Sequence, residues 1–453
     1  MAAGRPVRPA PLKRLIDVVA SAGGLLVLSP VMLVLWWMVR RRMGSPALFR
    51  QVRPGLHGQP FEMIKFRTMR DATAPDGRPL PDAERLTDFG RWLRATSLDE
   101  LPELWNVLKG QMSLVGPRPL LMAYGPFFTP EERERQDVRP GITGYAQIMG
   151  RNTASWQSRL ANDVWYARNR TVLLDFRIIF RTLAAVFARE GVSIDPRAAM
   201  LDFNVERAGQ LPVLPLAEDD AAEIADLFRR CLAGPARWGT ALGSDRFLDF
   251  IAGVAMPQDT FLGIRCNGAL VAAVHLRRLP EALHINDIAV DESFRGSGLA
   301  QRLIRHAAEA SASLPLSLDV DAANPAALRL YEGLGFKVEH ETTRVVLRRE
   351  ATVPDTGADD TPTLSIMDDA FFRTYGIGYL TLSGREERIT IVQPAHLRLP
   401  DPVPADLVSA AREFPYHSVQ VSRTLADQFE GEIVSTFTTL RMTRDPSAGT
   451  RTA

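Results

Sequence analysis

Residues 15–39, LIDVVASAGGLLVLSPVMLVLWWMV, carry a single charged side chain, Asp17. A helix needs about 20 apolar residues to cross a bilayer, so this stretch is long enough to live in lipid. No small-residue cleavage signal follows it, which favours a retained anchor over a signal peptide. Pro30 sits near its centre and predicts a kink, because proline removes one helical hydrogen bond and clashes with the preceding turn. Ser29 can re-satisfy a freed carbonyl. Lys13 and Arg14 precede the stretch, and Arg40, Arg41 and Arg42 follow it. Basic residues at both ends give no sidedness. A kinked span and a helix that dips into one leaflet and returns both fit.

The chain has 453 residues, enough for two or three domains. Its hydrophobic content of 46% is too low for a polytopic membrane protein. The net charge of +1 hides an asymmetry, since residues 1–70 hold twelve Lys or Arg against Asp17 and Glu62. That front end attracts anionic phosphate, on lipid headgroups or on substrate. Zinc-finger spacing and aromatic-basic repeats are missing, so no nucleic-acid target is expected. Cys231 and Cys266 fit buried thiols in a reducing compartment. Residues 175–189 place Phe176, Ile179, Phe180, Leu183 and Phe187 near helical spacing with three arginines, as in an interfacial helix or one packed on a core.

Asp99 and Glu100 stand side by side in ATSLDELP. Leu101, Leu104, Trp105 and Leu108 recur at helical spacing, so the pair falls near a helix start, where negative charge is stabilised. Ser97 and Glu100 resemble a capping box, while Pro102 argues for a slightly later start. Such a pair offers one carboxylate to attack phosphorus and one to hold magnesium, which favours carboxylate and phosphate oxygens. Ordinary charge stabilisation at a helix end is the simpler alternative.

Further blocks surround the pair in order: KRLID leading into Ser29-Pro30, FRQ and Gly55, KFRTM at 65–69, and Arg94 through Pro102. SLVGPRP at 113–119, RPGITG at 139–144 with Gln147, and then Asp163, Tyr166 and Asp175 complete the series. Together they resemble the monotopic polyprenyl-phosphate phosphoglycosyl transferases, the bacterial sugar transferase family, over about residues 12–190. The resemblance implies a mainly helical domain with a re-entrant helix broken at Ser29 and Pro30. It also implies an active site on the cytosolic face of the bacterial inner membrane. It assigns Asp99 as nucleophile and Glu100 as Mg2+ ligand, with a uridine diphosphate-sugar as donor. Undecaprenyl phosphate, or a related polyprenyl phosphate, is the implied acceptor. Two steps through an aspartyl-phosphosugar would replace one harder step. Lys65, Arg94, Arg118 and Arg139 are candidates for holding phosphate, since fixed cations suit phosphate oxygens. Gly141 and Gly144 are expected to shape a loop.

A different pattern begins near residue 212. Residues 219–231 read as a helix, and 261–274 and 283–290 as strands. DESFRGSGLA follows, and a helix runs on to about Ser311. A strand, a Gly-rich turn and a helix start form a diphosphate cradle. It is neither a P-loop nor a good dinucleotide fingerprint. A strand at 316–320 precedes NPAALRLYEGLGF at 324–336.

These two blocks resemble the GCN5-related N-acetyltransferase superfamily over about residues 212–349. That likeness implies an α/β fold binding acetyl-CoA across a splayed parallel strand pair. Arg295, Gly296, Gly298 and Ala300 would meet its pyrophosphate, and Asn324 would orient cofactor or backbone. Tyr331 would protonate the departing thiolate, and Asp287 would act as base or position the amine. His284 is the alternative to Asp287, because a bare Asp is a weak base for an ammonium.

The expected organisation is α+β and multidomain: 1–190 transferase, 191–211 linker, 212–349 acetyltransferase-like, 350–363 linker, 364–443 small extension and 444–453 mobile tail. Short strand patterns at 388–392, 417–421 and 432–442 and a helical one at 407–414 suggest that the extension packs. It is open whether it is a lid, added sheet or oligomer contact in a possible homodimer. The combined expectation is an enzyme that acetylates a nucleotide-linked amino sugar and passes the phosphosugar to lipid. The alternative is a phosphoglycosyl transferase whose second half only recognises substrate or dimerises.

Overall fold

The structure, a computed structural model, describes residues 11–73, 80–149, 155–187, 201–232, 240–311, 314–348 and 364–446. Interruptions within the last range fall at 367, 376, 383–384, 388, 393–395, 400–407, 409–410, 412–417 and 430. The expected linker at 350–363, residues 191–200 of the one at 191–211, most of the 407–414 helix and most of the 444–453 tail lie outside these residues; the rest of the 191–211 segment contains a helix over Phe203–Gln210, with Phe203 buried. The chain divides into two compact units, Met1–Glu206 and Arg207–Ala453.

In the first unit, helix α1 (Pro11–Met43) runs without interruption through Pro30. Ser29 Oγ donates to Leu26 O at 2.8 Å, beside the turn that proline perturbs. Thirty-three residues make a helix of about 50 Å, longer than a hydrocarbon core of about 30 Å. Its most apolar window is only 11% buried, while Leu35, Val39 and Met43 near its end pack with Phe66, Phe89 and Leu93. Arg40 and Arg41 lie over the rings of Trp36 and Trp37, the pairing expected where a helix leaves lipid.

The polar start of α1 is fastened to the rest of the unit. A hairpin follows α1, formed by β1 (Leu48–Pro54) and β2 (Pro60–Phe66). Next come α2 (Asp88–Ala95) and α3 (Glu103–Leu108). Strands β3 (Ser113–Val115) and β4 (Gly141–Thr143) pair in parallel. Helices α4 (Trp156–Asn169) and α5 (Val172–Phe187) follow, and Phe203 packs on Tyr124, Phe128 and Trp156. Arg14 donates to the last carbonyls of α3, Val107 O at 2.7 Å and Leu108 O at 2.9 Å. Asp17, 3% exposed, accepts from Ser113 Oγ and Leu114 N. Lys13 pairs with buried Asp175 at 2.7 Å, and Tyr166 donates to the same carboxylate at 2.6 Å. Asp175 thus anchors the base of the α5 segment that its spacing marks as amphipathic, and Phe176, Phe180 and Leu183 remain exposed.

The second unit is built on one sheet. Its first described strands are β5 (Val213–Pro215), β6 (Thr260–Cys266), β7 (Ala269–Arg278) and β8 (Leu283–Val290), with helix α6 (Ala221–Cys231) after β5. Helix α7 (Leu299–Ala310), β9 (Leu316–Asp321), α8 (Pro325–Gly333) and β10 (Lys337–Arg348) follow. The 261–274 strand expected from sequence is two strands. Asn267 (φ 51°) and Gly268 (φ 88°) turn the chain between them, since an Asn-Gly pair readily adopts the left-handed turn of a hairpin.

Residues 364–444 add β11 (Leu364–Ile366), helix α9 (Asp369–Tyr375), β12 (Ile377–Leu382), β13 (Arg385–Glu387) and β14 (Ile389–Val392). Strands β15 (His396–Arg398), β16 (Ser418–Ser422) and β17 (Glu432–Arg444) complete them. The order is β11-β12-β14-β15-β16-β10-β17-β9-β8-β7-β6-β5, with β13 on β12. The last strand, β17, lies between β10 and β9, so residues 364–444 are woven into the sheet.

Glycine sets how closely β3 and β4 approach. A Cβ on Gly141 would stand 2.0 Å from Gly116 N, and one on Gly116 would stand 2.2 Å from Arg139 O. Gly141→Ala should therefore cost at least about 1–3 kcal/mol and lower the melting temperature by several degrees. Gly125→Ala, where an added methyl meets nothing within 4 Å, should leave it unchanged in the same melt.

Candidate active sites

In the first unit, Ser97 ends the α2 segment in the left-handed region (φ 55°) with no side-chain cap bond. The capping box suggested by Ser97 and Glu100 does not form. The chain instead makes a single 3-10 turn over Leu98–Glu100 before α3 begins at Glu103. That turn sends the two neighbouring carboxylates to different surroundings.

Glu100 Oε1 accepts from Lys65 Nζ at 2.7 Å and from Arg118 Nη2 at 2.9 Å. Burial alone would raise its pKa, but Arg118 and Lys65 outweigh burial and hold it below the usual carboxylate range. Lys65 Nζ also lies 3.1 Å from Glu103 Oε1, without hydrogen-bond geometry, leaving that oxygen buried and unbonded. Burial, and then repulsion from Glu100, push Glu103 up.

Asp99 is 8% exposed, and its carboxylate takes no hydrogen bond or ion pair among the described residues. Burial first, then Glu100, raise its pKa to about 6 against the pull of Lys65, Arg94 and Arg118. The result is a buried, unpaired carboxylate near Lys65 and Arg118, which bond its neighbour, and Arg94, which bonds Thr68.

The remaining predicted cations divide by role. Arg118 reaches the carboxylates from β3's outgoing loop and stays half-exposed. Arg94 lies close enough to act on Asp99 while donating to Thr68 Oγ1 at 3.1 Å. Arg139 donates to Gly110 O at 2.8 Å, a backbone brace in this structure.

Several participants escaped the sequence reading. Arg135, 3% exposed, binds Asp163 at 2.7 Å and donates to Arg118 O at 2.7 Å, so it fixes the backbone that carries Arg118. Arg53 keeps a buried Nε without a partner and feels the charges of Arg118 and Glu103. Glu103 sits one helical turn beyond Glu100, and that spacing was its available signal.

Among the described residues, no three His, Cys, Asp or Glu side chains cluster as a preformed metal cage. Magnesium does not need one, because it is usually held by one or two carboxylates plus substrate phosphates. The residues fit that mode. Glu100 spends only Oε1 on its two cations, and Glu103 Oε1, 3.1 Å from Lys65, accepts no hydrogen bond.

The second unit has its own constellation. Strands β8 and β9 pair in parallel only over Leu283–Ile285 and Leu316–Leu318, then part. The loop after β8 reaches α7 through Gly296 (φ 74°) and Gly298 (φ 90°), conformations that glycine adopts without strain. The N–H groups of Gly296, Gly298 and Ala300 bond to no acceptor among the described residues. They therefore suit an anion at the helix start. Arg295 Nε donates to Val290 O, at the end of β8, at 3.3 Å.

Asn324 caps α8, accepting from Ala327 N at 3.1 Å, so its side chain orients backbone. Tyr331 is 7% exposed, packs on Phe336, and burial raises its pKa to about 12. A phenol in this state keeps its proton at neutral pH.

Asp287 accepts from Asn286 Nδ2 at 2.6 Å and lies 3.2 Å from His275 Nδ1. His275, which the sequence reading missed, is 1% exposed, with Nε2 2.8 Å from Asp259. Burial would lower its pKa, but the two aspartates outweigh burial and raise it. His284 is engaged elsewhere, with Nδ1 2.9 Å from Ser317 Oγ.

Comparison with known proteins agrees with this division. The Bacterial sugar transferase family profile matches residues 8–189, and the Acetyltransferase (GNAT) family profile matches residues 222–336. The "Uncharacterized sugar transferase EpsL" of Bacillus subtilis is 51% identical over 181 residues, 40% of this chain and 90% of that protein. The undecaprenyl-phosphate galactose phosphotransferase of Salmonella typhimurium is 40% identical over 207 residues, 40% of this chain but 41% of that protein. The UDP-glucose:undecaprenyl-phosphate glucose-1-phosphate transferase of Caulobacter vibrioides is 38% identical over 190 residues, 39% of this chain and 70% of that protein. Among solved structures, a tandem GNAT protein from the clavulanic acid biosynthesis pathway is similar at 13% identity. That match covers 53% of this chain and 100% of that one, with a TM-score of 0.39. The chain belongs to the bacterial sugar transferase family through residues 8–189, and carries that domain fused to a GNAT-like acetyltransferase domain.

Proposed function

We propose that this chain is a bifunctional enzyme of the inner membrane, acting at the cytosolic face. It acetylates a nucleotide-linked amino sugar and transfers the phosphosugar from uridine diphosphate to a polyprenyl phosphate. The observation that carries the reading is Asp99, buried and unpaired beside a Glu100 that holds Lys65 and Arg118. The relatives named for transfer of sugar phosphate to undecaprenyl phosphate, matched over 41% and 70% of their lengths, support the donor and acceptor classes. The exposed apolar surface of α1 supports the membrane site, with Ser29 and Pro30 as the point where a re-entrant helix would bend.

In the first reaction an Asp99 oxygen attacks the sugar-bearing phosphorus of the donor. The bond from that phosphorus to the bridging oxygen breaks, and uridine monophosphate leaves with the electron pair. A phosphate oxygen of the lipid then attacks the same phosphorus, releasing Asp99 as carboxylate and forming polyprenyl diphosphate-sugar. Lys65, Arg94 and Arg118 supply fixed positive charge where the phosphoryl oxygens gather charge, and Arg139 braces the adjoining loop. Magnesium, held by Glu100 and substrate phosphates, would neutralise the diphosphate.

In the second reaction the loop N–H groups from Gly296 to Ala300, with Arg295, hold the pyrophosphate of acetyl-CoA. Asp287 takes a proton from the amine as nitrogen attacks the thioester carbonyl. Tyr331 protonates the departing thiolate. Asn324 holds the start of α8 and thereby the position of Tyr331.

Incubating the chain with uridine diphosphate-sugars, magnesium and undecaprenyl phosphate should yield lipid-linked product and uridine monophosphate. Absence of both across the donor set would overturn the reading. The turnover rate should fall as pH drops through about 6, because protonated Asp99 is no nucleophile.

The same group makes a stability prediction. An unfolded Asp ionises near 4, whereas folded Asp99 holds its proton to about 6, so folding loses stability as pH rises between those values. At pH 7 the loss is on the order of 3 kcal/mol. Asp99→Asn should abolish turnover yet raise the melting temperature by a few degrees at pH 7, with little gain at pH 4. A lower melting temperature at pH 7 would contradict an unpaired, desolvated carboxylate. Tyr331→Phe should reduce acetyl transfer to amino-sugar nucleotides at least tenfold and leave lipid-linked product formation unchanged.

A further inference from the structure

A lone carboxylate is a poor base toward an amine, and Asp287 is not alone. His275 on β7 pairs with it across the sheet, and the register slips just beyond them. The next partners are Leu276 and Ile285, so Asn286 is an extra residue on β8. Such a bulge re-aims side chains. Here it brings Asn286 Nδ2 to 2.6 Å from Asp287 Oδ2 and 3.2 Å from His275 Nδ1. Asp287 Oδ2 lies 3.2 Å from the same Nδ1. On the far side of the ring, His275 Nε2 lies 2.8 Å from Asp259 Oδ2, which also accepts from Arg277 Nε at 3.3 Å.

These contacts fix where protons sit. Burial would raise the pKa of Asp259, but His275 and Arg277 outweigh burial and hold it below the usual carboxylate range. An ionised carboxylate only accepts, so His275 Nε2 carries the hydrogen. In the neutral imidazole Nδ1 is then a bare acceptor, and its lone pair faces Asp287 Oδ2. One added proton fits between them. The imidazolium so formed lies between two carboxylates and flat against Phe261, with ring centroids 4.3 Å apart and planes at 10°. Both neighbours favour a cation. The His275 side chain is sealed from water, and Asp287 is the more open of its two partners, at 22% against 9% for Asp259. Protons therefore reach His275 through Asp287.

Other charges around this face are engaged elsewhere. Helix α6 and the helix Phe247–Gln258 pack on it, joining Phe261 and Ala273 in one apolar cluster. On α6, Glu223 holds Arg265, Asp226 and Asp291 hold Arg230, and Arg229 donates to Ser244 O and Asp245 O. Asp249 lies 3.6 Å from Arg246. On α7, Arg302 donates to Ala208 O, and on β8, His284 bonds Ser317. Asp259, Arg277 and Asp287 are the charged groups that face His275.

Building on the acetyltransferase reading, we propose that His275 is the positioning residue that makes Asp287 an effective base, holding at Nδ1 the proton that Asp287 takes from the amine. Asp259 fixes the ring through its Nε2–H. The acceptor enters as the free amine. As its nitrogen bonds the thioester carbonyl carbon, an N–H bond breaks, and the proton passes to Asp287 Oδ2 and on to His275 Nδ1. The carbon–sulfur bond breaks, the sulfur leaves with the electron pair, and Tyr331 gives it a proton. Water then resets the site: the proton that His275 returns through Asp287 balances the one that Tyr331 regains.

The test is the pH profile of kcat for release of coenzyme A, using the full chain in detergent, saturating acetyl-CoA and a panel of uridine diphosphate-linked amino sugars. Burial would lower the pKa of His275, but Asp259 and Asp287 outweigh burial and raise it, so kcat should fall as pH drops through a value above 6.5. His275→Gln keeps a donor for Asp259. It should lower kcat at least tenfold and move the acidic limb down toward the carboxylate range, where Asp287 alone governs it, with acetyl-CoA affinity within twofold. Asp259→Asn leaves the imidazole but removes a charge that favours its protonation, and should move the limb down by about one pH unit. A wild-type kcat in His275→Gln would overturn the proposal, as would a lower kcat with the limb unmoved, which marks a structural role only. If that variant fails to fold, the limb of Asp259→Asn decides. A wild-type chain that acetylates no acceptor removes the acetyltransferase reading and this proposal with it, whereas an active chain indifferent to His275 removes only the proposal.

Discussion

The first unit depends on an unequal division of positive charge between two adjacent carboxylates. Lys65 and Arg118 both settle on one oxygen of Glu100, and neither bonds Asp99. A single left-handed residue, Ser97, makes this possible by ending one helix and turning the chain before the next. Had Glu100 served as a helix cap, both carboxylates would have faced the same helix end. Instead Glu100 is a stable anion that gathers cations. Asp99 is a destabilised one, close enough to feel those cations but not neutralised by them. The desolvation that raises the pKa of Asp99 also costs the fold stability once that carboxylate ionises.

The surrounding scaffold keeps that division rigid. Lys13, Arg14 and Asp17 occupy the first turns of the long apolar helix α1, yet each is tied to β3, α3 or Asp175. The long apolar helix and the turn bearing Asp99 are therefore parts of one hydrogen-bonded body. Arg135 repeats the logic at the other cation, bonding buried Asp163 while gripping the carbonyl of Arg118. The glycines at 116 and 141 let two backbones touch where no side chain fits.

Much of this was legible in the sequence because local chemistry dictates it. The apolar run, the Asp99–Glu100 pair, the Gly296–Gly298 loop and the strand at 283–290 each depend on a few consecutive residues. What was hidden depends on chain pairing. The Asn267-Gly268 turn splits one expected strand, and a closer reading of that dipeptide reveals it. Nothing in spacing shows that Asp163 and Arg135 meet, that His275 lies between Asp259 and Asp287, or that β17 threads between β10 and β9. The roles of Ser97 and Asn324 were set by backbone geometry, which residue type alone constrains weakly.

The most direct measurement is intact mass spectrometry of the full chain after brief exposure to uridine diphosphate-sugar and magnesium, with lipid acceptor withheld. The account predicts a mass increase of one phosphosugar. The adduct should map to Asp99, be absent in Asp99→Asn and be discharged when polyprenyl phosphate is added. An unmodified protein under conditions where lipid product forms rapidly on adding acceptor would contradict it, and would require the lipid phosphate to attack the donor directly.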